Sequence, residues 1–207
     1  AGMSTTTLSG GSSWADLAVS GDYVYTVDFG GTVSVIDATD KRLPIVRSTL
    51  TVSGPGEIEV AGSYAYVSEW SSSRISVINI SNPEAPVVVG QSDTSSVTWG
   101  LEVQGKYAYT GPYSSGEPFS VYDVSDPAQP IRVGTVTAEG SITNEAPLRV
   151  QGRYAYFGGI AQNNLNIVDI SSSTNPTIVF SGAVTSTEID GYKYISVNGD
   201  YMYVVEN

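Results

Sequence analysis

Gly105-Lys106-Tyr107-Ala108-Tyr109 is one copy of a motif, Gly-x-Tyr-x-Tyr, that decides the fold of this chain. The motif occurs five times, starting at Gly21, Gly62, Gly105, Gly152 and Gly199. Successive copies begin 41, 43, 47 and 47 residues apart, and together they contain ten of the fourteen tyrosines. Self-similarity with a period of about 40–50 residues is typical of proteins built from repeated supersecondary units. The chain is therefore predicted to be a repeat protein.

A second motif, a short apolar segment that ends in Asp or Asn, follows each of the first four motif glycines. Its copies are residues 33–37, 75–79, 119–123 and 165–169. A proline-containing turn comes next, as in Ser125-Asp126-Pro127, and a further apolar run follows the turn. Aromatic and β-branched residues alternate with small or polar ones in all these segments, which predicts β-strands. Each repeat therefore offers four strands, counting one that precedes the motif glycine.

Four short strands per repeat are typical of one blade of a β-propeller. A β-sandwich also has short strands, but its turns would not recur with one motif at one period. We predict an all-β protein, a β-propeller of four-stranded antiparallel blades, about five in number, of which the last is incomplete. One domain spans the chain, with repeats at approximately 14–54, 55–98, 99–145, 146–190 and 191–207.

The last repeat stops after its Tyr-x-Tyr strand, and two hypotheses account for this. Residues 5–8, near the start of the chain, could pair into the last blade and close a ring of five blades. Alternatively, the chain is a fragment of a longer propeller, which leaves the strand at residues 201–205 as an open edge. We favour the fragment, because an open aromatic edge promotes aggregation and intact proteins avoid it.

The sequence resembles the LVIVD repeat family, named after a hydrophobic strand that ends in Asp. The resemblance is carried by Leu165-Asn166-Ile167-Val168-Asp169, Asp123-Val124-Ser125-Asp126-Pro127 and Gly105-Lys106-Tyr107-Ala108-Tyr109. The family pattern has an apolar residue at the second position of this motif, where the chain has Ser34, Ser76, Ser120 and Asn166. The chain also has Asn79 where the pattern ends in Asp. The resemblance implies a propeller of a bacterial or archaeal surface or secreted protein. We therefore expect an extracellular or cell-surface location, and the resemblance implies no catalytic residues.

The composition excludes several kinds of site and partner. The 207 residues include 21 Asp and Glu against 9 Lys and Arg, a formal net charge of −12, with no His and no Cys. Thiol catalysis, disulfide bonds and the commonest zinc ligands are thereby excluded, as is a histidine general base. An acidic chain without a basic cluster is not expected to bind nucleic acid. No run of about 18 apolar residues predicts membrane insertion, and no cofactor or metal is expected.

The repeated residues themselves are predicted to be structural. Both tyrosines of a Tyr-x-Tyr strand face one side of the sheet and the residue between them faces the other, so neighbouring blades interlock large side chains against small ones. The Asp or Asn at the end of the second motif is predicted to accept hydrogen bonds from N–H groups of the following turn. These residues are Asp37, Asn79, Asp123 and Asp169.

Two candidate sites remain. Aromatic and acidic residues on the rim that varies between repeats could bind sugar rings or a peptide, or the rings could simply cover the ends of the core. These residues are Trp14, Trp70, Trp99, Tyr113, Glu57 and Glu69. The second candidate is the central channel, where Glu59, Glu102 and Arg149 occupy equivalent positions of the innermost strands. They would form either a cation or small-ligand site or an ion pair in a hydrated channel.

We predict from these features a non-catalytic protein, a surface or secreted propeller that acts as a recognition or adhesion scaffold for a protein or carbohydrate ligand. The alternative is a structural subunit or spacer of an extracellular assembly or filament, self-assembling through the open edge of the last blade. A hydrolase or lyase acting on glycans is a third hypothesis. Glu57, Glu59, Glu69 and Tyr113 are its candidate residues, but no spacing identifies a catalytic pair.

Overall fold

The computed structural model describes residues 13–93, 98–137, 147–158, 164–183 and 194–205, and the backbone alone of Trp14. These residues form eighteen β-strands in five antiparallel sheets. Across these five ranges there is no helix that is long and apolar enough to cross a membrane. The predicted all-β propeller is confirmed, with two described strands in its last sheet, and we call its sheets blades 1 to 5 in chain order. Residues 5–8, the predicted partner of the last blade, lie outside the described ranges.

Within each blade, every strand pairs with the next strand in the chain. Blade 1 contains β1 (Trp14–Ser20), β2 (Tyr23–Asp28), β3 (Thr32–Asp37) and β4 (Ile45–Thr51). Blade 2 contains β5 (Pro55–Ala61), β6 (Tyr64–Glu69), β7 (Arg74–Asn79) and β8 (Val87–Gln91). Blade 3 contains β9 (Thr98–Gln104), β10 (Tyr107–Pro112), β11 (Pro118–Asp123) and β12 (Ile131–Thr137).

Blade 4 contains β13 (Leu148–Gln151), β14 (Tyr154–Gly158), β15 (Asn164–Asp169) and β16 (Thr177–Ala183). Blade 5 has two described strands, β17 (Tyr194–Asn198) and β18 (Tyr201–Val205). The first strands of successive blades, β1, β5, β9, β13 and β17, lie next to one another. They are therefore the innermost strands, and the fourth strands lie at the outside.

The motif glycine is required by the turn between the first and second strands of each blade. At this turn in blade 3, Gln104 pairs with Tyr107 and Gly105 has a φ of 64°. A two-residue hairpin with positive φ at its first position favours glycine there, because other residues are strained in that region. The other four motif glycines have φ values from 59° to 61°. The repeated Gly-x-Tyr is thus a turn signature.

The predicted role of the Asp or Asn at the end of the third strand is confirmed. Oδ1 of Asp123 accepts a hydrogen bond from the N–H of Ser125 at 2.9 Å. Asp37, Asn79 and Asp169 accept the same bond from Thr39, Ser81 and Ser171 at 2.8, 2.9 and 2.9 Å. An Asx turn of this kind fixes the start of the loop that leads to the fourth strand.

Neighbouring blades interlock as predicted, with tyrosine against a small residue. Tyr66 of blade 2 shares one buried cluster with Leu101 and Ala108 of blade 3. Tyr25 packs with Ala65 of blade 2, and Tyr109 packs with Ala155 of blade 4. The core is therefore a series of apolar layers between blades, and burial of this apolar surface is the main force that holds each junction.

A second contact between blades lies at the outside. A Cβ on Gly90 in β8 would overlap the backbone carbonyl oxygen of Pro127 in the turn of blade 3. A Cβ on Gly134 in β12 would overlap the carbonyl oxygen of Ser173 in the turn of blade 4. Ser48 holds this position in blade 1, and its Oγ donates to the carbonyl oxygen of Pro83 at 2.6 Å. The turns of blades 2, 3 and 4 are therefore seated on the fourth strand of the preceding blade.

Candidate functional site

Four aromatic side chains of the variable rim contact one another across blades 1, 2 and 3. The ring centroid of Trp99 lies 5.9 Å from that of Phe29 and 5.9 Å from that of Tyr113. Tyr113 in turn stacks on Trp70, with 5.8 Å between centroids and 13° between ring planes. Trp99 is buried, whereas Phe29 and Trp70 are 44% and 36% exposed. These four residues, which we call the aromatic cluster, form a continuous row of rings whose two ends reach solvent.

Blade 2 makes room for the cluster at Gly56. A Cβ on Gly56 would lie 3.1 Å from the carbonyl oxygen of Trp99 and 3.4 Å from its Cδ2 atom. Oγ of Ser68 donates a hydrogen bond to the same carbonyl oxygen at 2.6 Å and accepts one from the N–H of Glu57 at 2.9 Å. Trp99 is thus held against blade 2, in a position where its ring contacts both Phe29 and Tyr113.

Two carboxyl groups join the innermost strands beside the aromatic cluster. Oε2 of Glu57 accepts a hydrogen bond from the N–H of Leu101 in the next blade at 2.7 Å. Oδ2 of Asp16 accepts one from the N–H of Ile58 at 3.0 Å. Asp16 and Glu57 hold the same position of the repeat, one residue before Leu17 and Ile58. Glu57, a predicted ligand-binding residue, therefore binds the neighbouring blade.

The pKa values of these carboxyl groups are raised. Burial, reinforced by the nearby charge of Asp16, raises the pKa of Glu57 to about 8. Burial, reinforced by the charge of Glu102, raises the pKa of Glu59 to about 7. Burial also raises the pKa of Asp16 and of Glu102. Desolvation disfavours the charged form of a carboxyl group, and neighbouring carboxylates add to that effect.

The three residues predicted for the central channel hold equivalent positions of the innermost strands. Glu59, Glu102 and Arg149 are each opposite the second tyrosine of their motif. Nη1 of Arg149 donates to Oε1 of Glu102 at 3.1 Å and to the carbonyl oxygen of Leu148 at 2.7 Å. The structure therefore brings Glu102 and Arg149 together as an ion pair, with Glu59 near enough for the Glu102 charge to raise its pKa.

Glu69 does not reach the surface of the variable rim. It is the last residue of β6 and is fully buried. Its carboxylate accepts hydrogen bonds from the hydroxyl of Ser76 and from Nε of Arg74, the latter at 2.9 Å. This paired carboxylate joins the end of β6 to β7.

The remaining predicted rim residue, Trp14, starts β1, and its side chain lies outside the described part of the structure. Sequence reasoning missed Asp16 as a partner of the next blade. The available signal was its repeat position, because Asp16 precedes Leu17 as Glu57 precedes Ile58. Within the described ranges, no three Asp or Glu side chains are grouped as metal ligands.

Comparison with known families gives one match. The LVIVD repeat matches this chain four times, at residues 10–51, 56–94, 97–138 and 146–184. These four segments cover well over half of the chain and coincide with the four-stranded blades. No curated protein matches the sequence.

Comparison with solved structures shows the fold. A provisionally assigned 6-phosphogluconolactonase from Bacteroides fragilis superimposes with a TM-score of 0.77 at 15% identity, over 92% of this chain and 62% of that chain. A provisionally assigned 6-phosphogluconolactonase from Bacteroides uniformis gives 0.75 at 17% identity, over 92% and 62%. A protein of unknown function from Desulfotomaculum acetoxidans gives 0.66 at 15% identity, over 83% and 56%. The chain thus spans about three fifths of the length of these structures.

Proposed function

This chain belongs to the LVIVD repeat family, and we propose that it is a non-catalytic surface or secreted recognition module that binds neutral carbohydrate through the aromatic cluster. The observation that supports this proposal is the continuous row of rings from Phe29 through Trp99 and Tyr113 to Trp70. Aromatic rings offer flat apolar faces with little conformational entropy to lose, and the C–H faces of sugar rings stack on such surfaces.

The exposure of the end rings favours a ligand over simple core covering. Phe29 and Trp70 keep 44% and 36% of their surface in contact with solvent. One face of Trp70 is stacked on Tyr113, so the other face is the one available to a ligand. Trp99, which is buried, fixes the spacing between the two exposed ends. An extended chain of sugar rings fits such a row better than a single ring does.

The net charge of the chain limits the class of carbohydrate that it can bind. The chain carries a formal net charge of −12. Like charges repel on approach, so an anionic polysaccharide would associate slowly and weakly. A neutral glycan is therefore the ligand that this surface suits.

The carboxyl groups nearest the cluster are engaged in structural contacts, which supports a non-catalytic role. Oε2 of Glu57 holds the N–H of Leu101, and the Glu69 carboxylate is bound by Ser76 and Arg74. A general acid or base must be free to exchange a proton with substrate at hydrogen-bond distance. Each of these two carboxyl groups is instead committed, through at least one oxygen, to a contact within the protein.

Lactone hydrolysis is the second function to test, because two structures with this fold carry that provisional assignment. Their identities of 15% and 17% support a shared fold alone. A phosphorylated substrate needs cationic partners, and Arg149 of the innermost strands is already paired with Glu102. We expect no hydrolysis of 6-phosphogluconolactone. An activity that Glu57→Gln abolishes would replace the proposal.

The proposal is tested with neutral oligosaccharides. The 207-residue chain is screened against an array that includes cellohexaose, mannohexaose and chitohexaose, and binding of the best probe is measured by titration calorimetry. Trp70→Ala and Phe29→Ala are each expected to weaken binding by about fivefold or more, since truncation of an aromatic residue that anchors a ligand costs over about 1 kcal/mol.

Phe180→Ala is the matched control, because Phe180 is 42% exposed but lies on the outer strand of blade 4. Its affinity for the probe should equal that of the parent chain. Absence of binding to every neutral probe would overturn the proposal, as would binding that neither Trp70→Ala nor Phe29→Ala weakens.

A further inference from the structure

The turn after the third strand begins differently in blade 2 from the other blades. Asn79 ends β7, whereas Asp37, Asp123 and Asp169 end β3, β11 and β15. Asn79-Ile80-Ser81 has the form Asn-x-Ser with x other than proline, which is the acceptor sequence for N-linked glycosylation. Among the 207 residues this acceptor sequence, with Ser or Thr in third place, occurs once. Blade 2 therefore carries a modification signal at a repeated turn.

The hydrogen bonds of this turn leave the amide nitrogen of Asn79 unused. Oδ1 of Asn79 accepts hydrogen bonds from the N–H of Ser81 at 2.9 Å and from its hydroxyl at 2.7 Å. Both bonds go to the carboxamide oxygen, so Nδ2 lies on the other side of the carboxamide, away from Ser81. Across the residues that the structure describes, Nδ2 makes no hydrogen bond. The atom that would carry a glycan is thus not needed to hold the turn.

The second carboxylate oxygen of the other three turns has a cationic partner. The three pairs are Asp37 with Arg47, Asp123 with Lys106, and Asp169 with Arg153. In blade 2, Val89 holds the position of Arg47 on the fourth strand. Ser63, which follows motif residue Gly62, holds the position of Lys106 and Arg153. The Nδ2 group of Asn79 therefore replaces a paired oxygen in a turn where both cation positions have uncharged residues.

Asn79 lies on the rim opposite to the aromatic cluster. In the hairpin of β6 and β7, Tyr64 pairs with Asn79 at one end, and Glu69, which precedes Trp70, pairs with Arg74 at the other. Five steps of about 3.3 Å per residue separate these ends by about 17 Å. Asn79 is partly exposed and Ser81 is exposed. A glycan on Asn79 would therefore extend into solvent and leave the aromatic cluster free.

Ile80 indicates when such a modification would take place. Its side chain is 5% exposed and belongs to the apolar cluster between blades 1 and 2. Its N–H donates a hydrogen bond to the carbonyl oxygen of Ser63 at 2.9 Å. A transferase must hold all three residues of the tripeptide in its own site, and the folded turn does not release Ile80. The glycan would therefore be added before blade 2 folds, and the folded turn would then carry it.

We propose that Asn79 is an N-glycosylation site, to which an oligosaccharide is transferred from a polyprenyl diphosphate donor. Nδ2 forms a bond to the anomeric carbon of the first sugar. The bond between that carbon and the diphosphate oxygen breaks, and its electron pair leaves with the diphosphate. Nδ2 loses one proton to a base of the transferase. The proposal rests on the secreted or surface location in the proposed function, but not on carbohydrate binding by the aromatic cluster.

The test uses the 207-residue chain, secreted from a eukaryotic cell line that supplies the transferase and the donor. The mass of the secreted chain is measured before and after treatment with an endoglycosidase, and the modified peptide is identified by mass spectrometry. One glycan per chain is expected, attached to Asn79. A secreted chain that carries no glycan on Asn79 would overturn the proposal.

Three variants separate the acceptor sequence from the turn. Asn79→Asp and Ser81→Ala should each abolish the glycan, and both should fold, because Asp123 makes the same turn and residue 81 keeps its N–H. Asp123→Asn creates the same tripeptide pattern with Val124 and Ser125, in the equivalent turn of blade 3. It should add a second glycan to the secreted chain. A glycan that persists in Ser81→Ala would contradict the assignment to this tripeptide.

The folded state must also tolerate the glycan. The melting temperatures of the glycosylated chain and of Asn79→Asp are expected to agree within about 2 °C, a difference below about 1 kcal/mol for a chain of this length. A glycosylated chain that melts more than about 5 °C lower would overturn the proposal, because the folded turn would then not accommodate the glycan. A glycan on Asn79 without any binding of neutral oligosaccharides would refute the proposed function alone.

Discussion

The carboxyl group of Glu57 in blade 2 accepts a hydrogen bond from the backbone N–H of Leu101 in blade 3, at 2.7 Å between Oε2 and N. Asp16 makes the equivalent contact one junction earlier, with the N–H of Ile58 at 3.0 Å. Each bond joins two innermost strands that belong to different sheets. A side chain on the predicted ligand rim therefore also contributes to the assembly of the blades.

Glu57→Ala is expected to destabilise the chain. The substitution leaves the N–H of Leu101 without its acceptor, which costs about 1–3 kcal/mol of unfolding free energy for a buried group. Glu57→Gln keeps an acceptor oxygen at the same place, so this variant should lose much less unfolding free energy. Urea denaturation at pH 5 measures both. Equal losses in the two variants would show that the hydrogen bond does not carry the effect.

Stability is expected to fall as the pH rises from about 5 to about 9. The pKa values of Glu57 and Glu59 are raised in the folded state from the ordinary 4.5 to about 8 and about 7. The folded state thus holds protons that the unfolded state releases, so this stability is present at acid pH and is lost as pH rises through these values. A lower melting temperature at pH 9 than at pH 5 is expected, by several degrees.

Glu57→Gln is the control for the dependence of melting temperature on pH, because the glutamine side chain cannot ionise. The fall in melting temperature between pH 5 and pH 9 should be smaller in this variant than in the parent chain. Asp16, Glu102 and Arg149 contribute their charges to the same group of residues and remain unchanged. A profile that rises towards pH 9 in the parent chain would contradict the raised pKa values.

At low pH, the stability of the chain is expected to depend on the aspartate carboxylates of the turns. The hydrogen bonds from Thr39, Ser125 and Ser171 lower the pKa values of Asp37, Asp123 and Asp169. A lowered pKa contributes stability above the ordinary value near 3.8, and this stability is lost as pH falls through the folded value. We expect the melting temperature to drop below about pH 3.5.

Asp123→Asn should reduce the acid-induced loss of stability and keep the turn. The precedent is in the chain itself, where Asn79 accepts the equivalent hydrogen bond from Ser81 at 2.9 Å. Thermal unfolding of the variant at pH 2.5 and pH 5 measures the effect. A loss between these two pH values as large as that of the parent chain would contradict the assignment to this carboxylate.

Gly90→Ala tests the outer contact between blades. The added Cβ would overlap the carbonyl oxygen of Pro127, and overpacking of this kind costs about 1–3 kcal/mol. Gly182→Ala is the matched control in β16, because the nearest atom to its added Cβ belongs to the side chain of Phe180 at 3.4 Å. Urea denaturation should show a loss for Gly90→Ala that exceeds the loss for Gly182→Ala.

The repeated features could be predicted from sequence because each of them is local. The turn at Gly105 needs positive φ, and the turn after Asp123 needs a side-chain acceptor two residues before the donor N–H. Both requirements are met within a few residues of chain. The same local rules, repeated every 41 to 47 residues, were enough to predict the blades.

Burial at the ends of strands could not be predicted in that way. Glu69 stands next to Trp70 in the sequence, which placed both on the same candidate surface. In the structure Glu69 is fully buried beside Arg74 and Ser76, while Trp70 is 36% exposed. The difference arises because β6 continues as far as Glu69, and adjacent residues at a strand end can face opposite environments.

The sequence by itself determined the strands, the turns, the repeat and the alternation of large and small side chains across each junction, because all of these depend on neighbouring residues and on a motif that recurs every 41 to 47 residues. Only the tertiary structure decided which residues of different blades meet. Phe29 reaches Trp99, and Glu57 reaches Leu101. Those contacts depend on how blades are stacked and curved, and curvature is set by packing between sheets that no single repeat contains.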